Sequence, residues 1–226
     1  MVQRPSYFVE GEREMDSVRW KKFKVSDLFT LVPAHNVLSK MQLSVVGEYP
    51  AYSSDTKNSG ILGYYDKPEF IVDILHPCYL IFGDHTRTMN IARKSFSVLD
   101  NVKVLLPSVD NDEALLYVIT VWKKCIPNKG YARHWTDAKK CMLYLPAKED
   151  GNPDWYYMAE RIKELEAERI KELEAYLIAS GLNDYGLTED NKKELEAFIN
   201  KKDVSRLDIM KLLMSFSKNS SNKSIA

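Results

Sequence analysis

Apolar and polar positions divide the chain into two parts with different periodicities. In residues 20–145, short apolar runs alternate with turn residues, as in CYLIFGDHTRTMNIA and FSVLDNVKVLLP, and this pattern predicts short β-strands. The stretch DNDEALLYVITVWKKC instead has apolar residues at helical spacing and predicts a helix capped by Asp110 or Asn111. This part is therefore predicted to be a mixed domain of α-helices and β-strands.

A long helix is predicted after the turn-forming segment DGNP at residues 150–153. Pro153 suits a first helical turn, and no Gly or Pro follows before Gly181, so about 28 residues form a helix of roughly 42 Å. An apolar stripe runs along this helix and predicts a coiled coil, because another helix must cover it. The stripe consists of Met158, Ile162, Leu165, Ile170, Leu173 and Leu177.

The sequence RIKELEA occurs twice in this helix, at residues 161–167 and 169–175. Its period of eight differs from a heptad, so the stripe drifts around the helix. Two interpretations stay open: a chance run of strong helix formers, or a ruler that lengthens the helix by about 12 Å for each copy. The fold class is α+β, with four predicted segments: an arm at residues 1–19, the mixed domain at 20–150, the coiled-coil helix at 151–182 and a short helical tail at 183–226.

Composition and charge narrow the class of protein. The chain has 226 residues with 32 basic and 32 acidic side chains, and no apolar run approaches the roughly 18–20 residues that span a bilayer, so an integral membrane protein is excluded. The N-terminus lacks the apolar core of a signal peptide, and three separated cysteines are typical of reduced thiols, so a cytoplasmic location is expected. Residues 17–147 carry a net charge of +5 and residues 148–226 one of −3, which indicates different partners for the two parts.

Motifs for catalysis or metal binding are weak in this sequence. Its histidines and cysteines lack metal-ligand spacing, and GxSxG, P-loop, GxGxxG and methyltransferase motifs are missing. Asp84 and His85 are adjacent at a strand end and are expected to point to opposite faces, so they do not form a natural acid–base pair. We therefore expect no catalytic residue, metal or cofactor on this chain.

Basic residues cluster in three segments together with hydroxyl, amide or aromatic side chains. The segment RWKKFK supplies Arg19, Lys21, Lys22 and Lys24. Each cluster alone is typical of a solvated surface, but their joint occurrence favours double-stranded DNA as a partner. The segment HTRTMNIARK supplies Thr86, Arg87, Thr88, Asn90, Arg93 and Lys94. The segment VWKKCIPNKGYARHWTDAKK supplies Lys129, Arg133, Lys139 and Lys140.

Four segments, in this order, resemble the target-recognition domain of type I restriction–modification specificity subunits and similar subunits of some type II systems. WKKFKVSDLF resembles the domain opening, and YPAYSSDTKNSGILGYYDKPEF resembles the serine-rich turn and the segment after it. LIFGDHTRTMNIA resembles the strand-turn-strand with a Gly-Asp-His element. LYLPAKEDGNPDWYYM resembles the exit into the long helix.

This resemblance implies a non-catalytic subunit that reads DNA for a partner. In the family, a recognition domain binds half of a bipartite site, while the methyltransferase subunits carry S-adenosylmethionine and the adenine-N6 chemistry. Thr86, Arg87, Thr88 and Asn90 are expected near the duplex, Arg133, Lys139 and Lys140 at phosphate, and Ser53, Ser54 and Asn58 as further contacts. Asp84 and His85 are expected to fix the turn by hydrogen bonding.

The usual family member has two recognition domains and two long helices, whereas this chain has one of each. The resemblance therefore implies a homodimer with antiparallel helices that reads an interrupted palindrome. Two alternatives stay open. The chain could be a truncated interaction protein that occupies the methyltransferase through its helix, or a nuclease centred on Asp84 and His85.

Overall fold

The computed structural model describes residues 18–180, 189–190, 193 and 196–197, and ten strands and four α-helices lie within residues 18–180. The strands are β1 (Arg19–Lys24), β2 (Phe29–Val32), β3 (Val37–Leu38), β4 (Tyr49–Tyr52), β5 (Ile61–Tyr65), β6 (Tyr79–Gly83), β7 (Thr88–Ala92), β8 (Ser97–Leu99), β9 (Val102–Pro107) and β10 (Met142–Ala147). The helices are α1 (Val25–Leu28), α2 (Asp112–Cys125), α3 (Trp135–Ala138) and α4 (Trp155–Ala179). The predicted mixed α and β character is confirmed, while nearly all of the predicted arm and helical tail lies outside the described residues.

The strands form three sheets. One antiparallel sheet has the order β2-β9-β6-β7, a second sheet has the order β3-β8-β4-β5 with β8 parallel to both neighbours, and β1 pairs with β10 as a two-stranded ribbon. The two strands predicted around Asp100 and Asn101 are β8 and β9. They belong to different sheets and do not form a hairpin, and Asn101 adopts a left-handed φ of 63° where the chain passes between the sheets.

Strand β6 is buried on both faces because a separate apolar cluster covers each of them. Leu80 and Phe82 point into a core with α2, where the Phe82 and Trp122 rings stack with centroids 5.9 Å apart. Tyr79 and Ile81 point into a second core with Phe70, Phe96 and their neighbours. This alternation is the two-residue period of a strand. It fixes the position of the turn that follows Gly83.

The helix predicted at DNDEALLYVITVWKKC is α2, and its cap is Asn111. The Asn111 side chain accepts a hydrogen bond from the Ala114 backbone N–H at 2.7 Å. The other candidate cap, Asp110, instead forms an ion pair with Arg93. The buried side of α2 faces the first core, and the Trp122 indole N–H donates to the Ala138 carbonyl at 3.0 Å.

Helix α4 starts two residues later than the proline-based prediction. Pro153 lies outside the helix, in an isolated β-bridge with Ala147, and Asp154 caps the helix by accepting from the Tyr157 N–H at 3.0 Å. The helix therefore has 25 residues, roughly 37 Å, instead of about 28. The prediction failed because Pro153 and Asp154 both suit the start of a helix. Asp154 marks the actual start because its side chain accepts a hydrogen bond from a free backbone N–H of the first helical turn.

The chain divides into two compact units, Met1–Glu160 and Arg161–Ala226. The first turns of α4 belong to the first unit because Met158 and Ala159 are buried in its core. Met158, which the pattern assigned to an open stripe, therefore packs inside this unit. Among the described residues, no helix is long and apolar enough to cross a membrane.

In the second unit, the repeated sequence produces a repeated ion pair. Arg161 pairs with Glu164 at 3.0 Å, and eight residues later Arg169 pairs with Glu172 at 2.7 Å. The stripe residues differ in burial: Ile162, Ile170 and Leu173 are half-buried, Leu177 is 2% exposed and Leu165 is 44% exposed.

Candidate nucleic-acid interface

The serine-rich turn packs directly against the turn between β6 and β7. A Cβ added at Gly83 would lie 3.1 Å from the Ser54 Cα and would collide with the Thr88 hydroxyl, so only glycine allows this approach. The Ser54 hydroxyl donates to the Asn101 carbonyl at 2.6 Å and lies 3.4 Å from the His85 N–H. Two segments some thirty residues apart in sequence therefore form one surface.

Backbone strain marks the far side of the serine-rich turn. Asn58, Ser59 and Gly60 have consecutive left-handed φ angles of 46°, 49° and 81°. The Asn58 side chain supports this shape by donating to the Ile61 carbonyl at 3.2 Å. A Cβ at Gly60 would lie 3.0 Å from the Asn90 amide nitrogen, which places Asn90 beside this turn. Strained backbone of this kind often occurs at binding sites.

Asp84 is buried and holds the loop at residues 126–134 against the β6–β7 turn. Its carboxylate accepts from the Trp135 N–H at 2.6 Å, and its carbonyl accepts from the His134 N–H at 3.0 Å. Asp84 was expected to fix its own turn, but its side chain anchors the start of α3 instead. Residues 84 and 135 thus join two segments that the sequence separates widely.

His134 is fully buried, and both of its ring nitrogens have partners. The Lys129 N–H donates to Nε2 at 3.3 Å, so Nδ1 carries the ring proton and donates it to the Asp84 carbonyl at 2.9 Å. The ring is therefore the neutral Nδ1–H tautomer. It closes the loop between Lys129 and His134 and fixes the exposed residues within it.

A ring pair forms where this loop meets the turn. The His85 and Tyr131 rings stack with centroids 4.6 Å apart and an interplanar angle of 6°. His85 Nδ1 lies 3.3 Å from the Ala132 carbonyl and donates to it. Both rings line a cleft of about 480 Å³ that also contains Ser53, Ser54 and Thr86. The cleft is the concave part of this surface.

The four residues expected near the duplex lie along the turn and the edge strand β7. The Thr86 and Thr88 hydroxyls are 2.8 Å apart, and Thr88 and Asn90 share one face of β7. Arg87 has a left-handed φ of 58°, and its Nη1 donates to the Ile126 carbonyl at 3.1 Å. The turn, the edge strand and the loop at residues 126–134 therefore lie side by side.

The four basic residues predicted between residues 121 and 140 fall into two environments. Arg133, Lys139 and Lys140 are exposed and form no ion pair within the part of the chain that the structure describes. The Lys129 ammonium forms an ion pair with Asp137 at 2.6 Å, and this hydrogen bond lowers the pKa of the Asp137 carboxyl. Lys129 is thus partly neutralised, while the other three cations face solvent.

Arg93 and Lys94 come directly after the C-terminal end of β7, whereas Arg87 comes directly before its N-terminal end. At about 3.3 Å per residue, the five-residue strand separates the two groups by roughly 16 Å. The Arg93 guanidinium bonds to Asp110 and Asp112 and to the Pro77 carbonyl at 3.3 Å. These carboxylates raise the pKa of Arg93 although burial opposes its charge. Arg93 therefore ties β7 to the start of α2, while Lys94 is exposed.

Groups for covalent or metal chemistry are sparse in this domain. Burial raises the pKa of Cys78 and of Cys141 to about 11, so both thiols are poor nucleophiles near neutral pH. Within the described ranges, no three His, Cys, Asp or Glu side chains form a group that could hold a metal ion. Asp84 and His85 bond to separate partners, Trp135 and Ala132.

Sequence reasoning missed the ring pair and the acidic lining of the cleft. Tyr131 was noted only as an aromatic residue among lysines, and Asp55 and Asp100 were not assigned a role, yet all three line the cleft. The break between two strands at Asp100 and Asn101 was predicted, but the sequence did not indicate that Asp100 lies beside the β6–β7 turn. No local signal shows that Tyr131 meets His85, because 45 residues separate them.

Comparison with known proteins gives consistent matches over this region. The sequence profile of the family described as type I restriction modification DNA specificity domain matches residues 17–175. The Type II restriction enzyme BgcI specificity subunit S.BcgI of Heyndrickxia coagulans is 22% identical over 173 residues, which are 70% of this chain and 47% of that protein. The chain thus spans about half the length of this curated relative.

A solved structure supports the same fold. The S subunit of a type I restriction-modification system from M. genitalium superposes with a TM-score of 0.53 at 15% identity, covering 84% of this chain and 47% of that chain. At this identity the likeness concerns the fold alone. The family profile, however, extends over most of the 226 residues. The chain therefore belongs to the type I restriction modification DNA specificity domain family.

Proposed function

We propose that this chain reads DNA sequence for a restriction–modification system. Its first unit binds one half of a bipartite site and directs a partner adenine-N6 methyltransferase, which carries S-adenosylmethionine. The observation that carries this proposal is the single surface built from the serine-rich turn, the β6–β7 turn and the loop at residues 126–134. On this surface, hydroxyl and amide groups adjoin exposed cations, as base and phosphate contacts require.

Each group on this surface has a proposed role. Thr86, Thr88 and Asn90 contact base edges in a groove, with Ser53, Ser54 and Asn58 beside them, and Arg87 contacts a base from the turn. Phosphate contacts come from cations that face solvent and form no ion pair with a carboxylate among the described residues, namely Arg133, Lys139, Lys140 and Lys94. Lys129 and Arg93 are already paired with carboxylates, so they contribute less to DNA affinity and more to the shape of the domain.

We further propose that two copies associate through their α4 helices as a C2 homodimer that reads an interrupted palindrome. The second unit supports this arrangement because Leu165 and Ile178 are apolar residues at exposed positions of α4, where most exposed positions are charged. A monomeric mass at micromolar concentration without the methyltransferase would contradict the homodimer. It would leave the proposed DNA reading untouched.

The proposed function is tested by mapping N6-methyladenine. The chain is co-expressed with the methyltransferase encoded beside it, and modified adenines are located by sequencing the host DNA. We expect methylation at one interrupted palindrome that disappears when this chain is omitted. A stable complex without any methylated motif would instead favour an interaction protein that occupies the methyltransferase through its helix. Metal-dependent DNA cleavage by the isolated chain would indicate a nuclease.

A further inference from the structure

The cleft beside the β6–β7 turn has a composition unlike that of a phosphate site. Its lining includes two acidic residues, Asp55 and Asp100, together with Thr86, His85 and Tyr131. Two carboxylates repel a phosphate but accept hydrogen bonds from the exocyclic amino group of adenine, cytosine or guanine. Lys40 also lines the cleft and can meet a backbone phosphate of the same nucleotide. The charges therefore favour a base over a phosphate inside the cleft.

An open aromatic face borders the cleft. Tyr131 is 87% exposed although one side of its ring stacks on His85 at 4.6 Å, so its other face is available to a ligand. Nucleobases stack on tyrosine faces of this kind in proteins that bind single-stranded nucleic acids. The parallel His85 ring supports Tyr131 from behind. A flat ligand gains stacking energy here without reordering the ring pair.

The groups that line the cleft are held in place before any ligand binds. The loop that carries Tyr131 is anchored by Asp84 through the Trp135 N–H and by the buried His134 ring. The Asp55 carboxylate accepts from the Lys57 and Thr56 N–H groups through Oδ1, and these bonds lower its pKa, so it stays ionised at neutral pH. A pre-formed site loses little conformational entropy on binding.

We propose that this cleft binds a single unstacked nucleobase that carries an exocyclic amino group, with Tyr131 as its stacking partner and Asp55 and Asp100 as its acceptors. This inference deepens the proposed function and rests on it for the source of the base, a nucleotide displaced from the bound duplex. Chemistry on a base within DNA requires that the base leave the stack, so a methyltransferase partner produces such displaced nucleotides. A free nucleotide would offer the same chemistry.

The test compares duplexes that differ by one unpaired base. Fluorescently labelled duplexes carry no bulge, one bulged adenine or one bulged thymine, and their affinities for the full chain are measured by anisotropy. We expect the bulged-adenine duplex to bind about tenfold more tightly than the paired duplex, and the bulged-thymine duplex to gain less. The readout is the ratio of bulged-adenine affinity to paired-duplex affinity for each variant. Tyr131→Ala should bring this ratio close to one, while Tyr131→Phe, which keeps the aromatic face, should retain it.

Equal affinity for the bulged-adenine and paired duplexes, or a preference that persists in Tyr131→Ala, would overturn the inference. Competition with free deoxyadenosine separates the two sources of the base: displacement of bulged DNA by micromolar nucleoside would identify a small-molecule site and overturn the DNA source. The outcome is independent of methylation mapping. If a methylated palindrome is found but bulged and paired duplexes bind equally, only the proposed role of the cleft is refuted. If bulged duplexes bind more tightly but no methylated palindrome is found, only the proposed function is refuted.

Discussion

At the scale of single residues, Arg87 and Arg133 offer a comparison of two kinds of DNA contact. Arg87 is half-buried at the turn, whereas Arg133 is exposed and lacks an ion pair within the described ranges. If Arg87 reads a base, Arg87→Ala should weaken binding to the specific site by about 1–3 kcal/mol and leave random DNA unchanged. Arg133→Ala should weaken binding to the specific site and to random DNA equally. It should also reduce the slope of the logarithm of the binding constant against the logarithm of salt concentration by about one.

Titrations of each variant with specific and random duplexes at two salt concentrations measure these differences. Equal losses on both duplexes for Arg87→Ala would make Arg87 a phosphate contact. The hydrogen bond from Arg87 to the Ile126 carbonyl predicts, in addition, a small loss of stability, which a urea titration measures separately.

His134 is the residue on which the loop at residues 126–134 depends most. His134→Ala removes a fully buried ring. The Lys129 N–H then loses its acceptor, and the Asp84 carbonyl loses the hydrogen bond from the ring. We expect the free energy of unfolding to fall by about 2–4 kcal/mol, as measured by urea denaturation. Arg133→Ala, one residue away but exposed, should change it by less than about 0.5 kcal/mol. A similar small change in His134→Ala would contradict the role assigned to the ring.

The buried thiol of Cys78 gives the domain an alkaline pH dependence. Burial raises its pKa from 9.0 to about 11, so between these values the unfolded chain loses a proton that the folded chain keeps. The contribution is full below pH 9, and stability falls as pH rises toward 11. Urea midpoints at about pH 8 and about pH 10.5 should differ less in Cys78→Ala than in the natural chain. Val98→Ala, a buried residue without a titrating group, should keep the full difference.

At the scale of elements, the link between β7 and α2 depends on Arg93. Its guanidinium donates to Asp112 through Nε at 3.1 Å and also bonds to Asp110. Arg93→Ala should reduce the free energy of unfolding by about 1–3 kcal/mol, and less at high salt, because charge-assisted hydrogen bonds are lost. The exposed neighbour Lys94→Ala should leave stability unchanged. Weakened DNA binding with unchanged stability in Arg93→Ala would restore Arg93 as a phosphate contact.

Elements defined by local pattern could be predicted, whereas their pairing could not. The period of apolar residues predicted α2, and the side chain of Asn111 caps it as expected. The strands on either side of Asp100 were also predicted, but not that they join different sheets. The start of α4 was misplaced because Pro153 and Asp154 are equally good local signals. Sheet membership depends on burial of both faces of β6, which no single segment encodes.

The candidate site shows the same limit more sharply. Gly83, Asp84 and Thr86 could be recognised as a turn from the sequence. Its partners could not be recognised, since Ser54 lies about thirty residues before this turn and His134 about fifty residues after it. The chemistry of the surface comes from residues that only the fold brings together. Residue types and charge clusters therefore led to the proposal of a DNA partner, while the cleft could be located only in the structure.

At the scale of the whole molecule, the proposed homodimer depends on exposed apolar residues of α4. Leu165 is 44% exposed in the second unit, between the two Arg–Glu ion pairs of the repeat. A glutamate at this position would place a charge in an apolar contact, where it has no partner. Leu165→Glu should therefore raise the dimer dissociation constant at least about tenfold, with sedimentation equilibrium as the measurement. Ala167→Glu adds the same charge at another exposed position two residues away, off the predicted stripe, and should leave the constant within about twofold. If both variants weaken the dimer equally, net charge and not the stripe controls association, and if neither does, the dimer forms elsewhere.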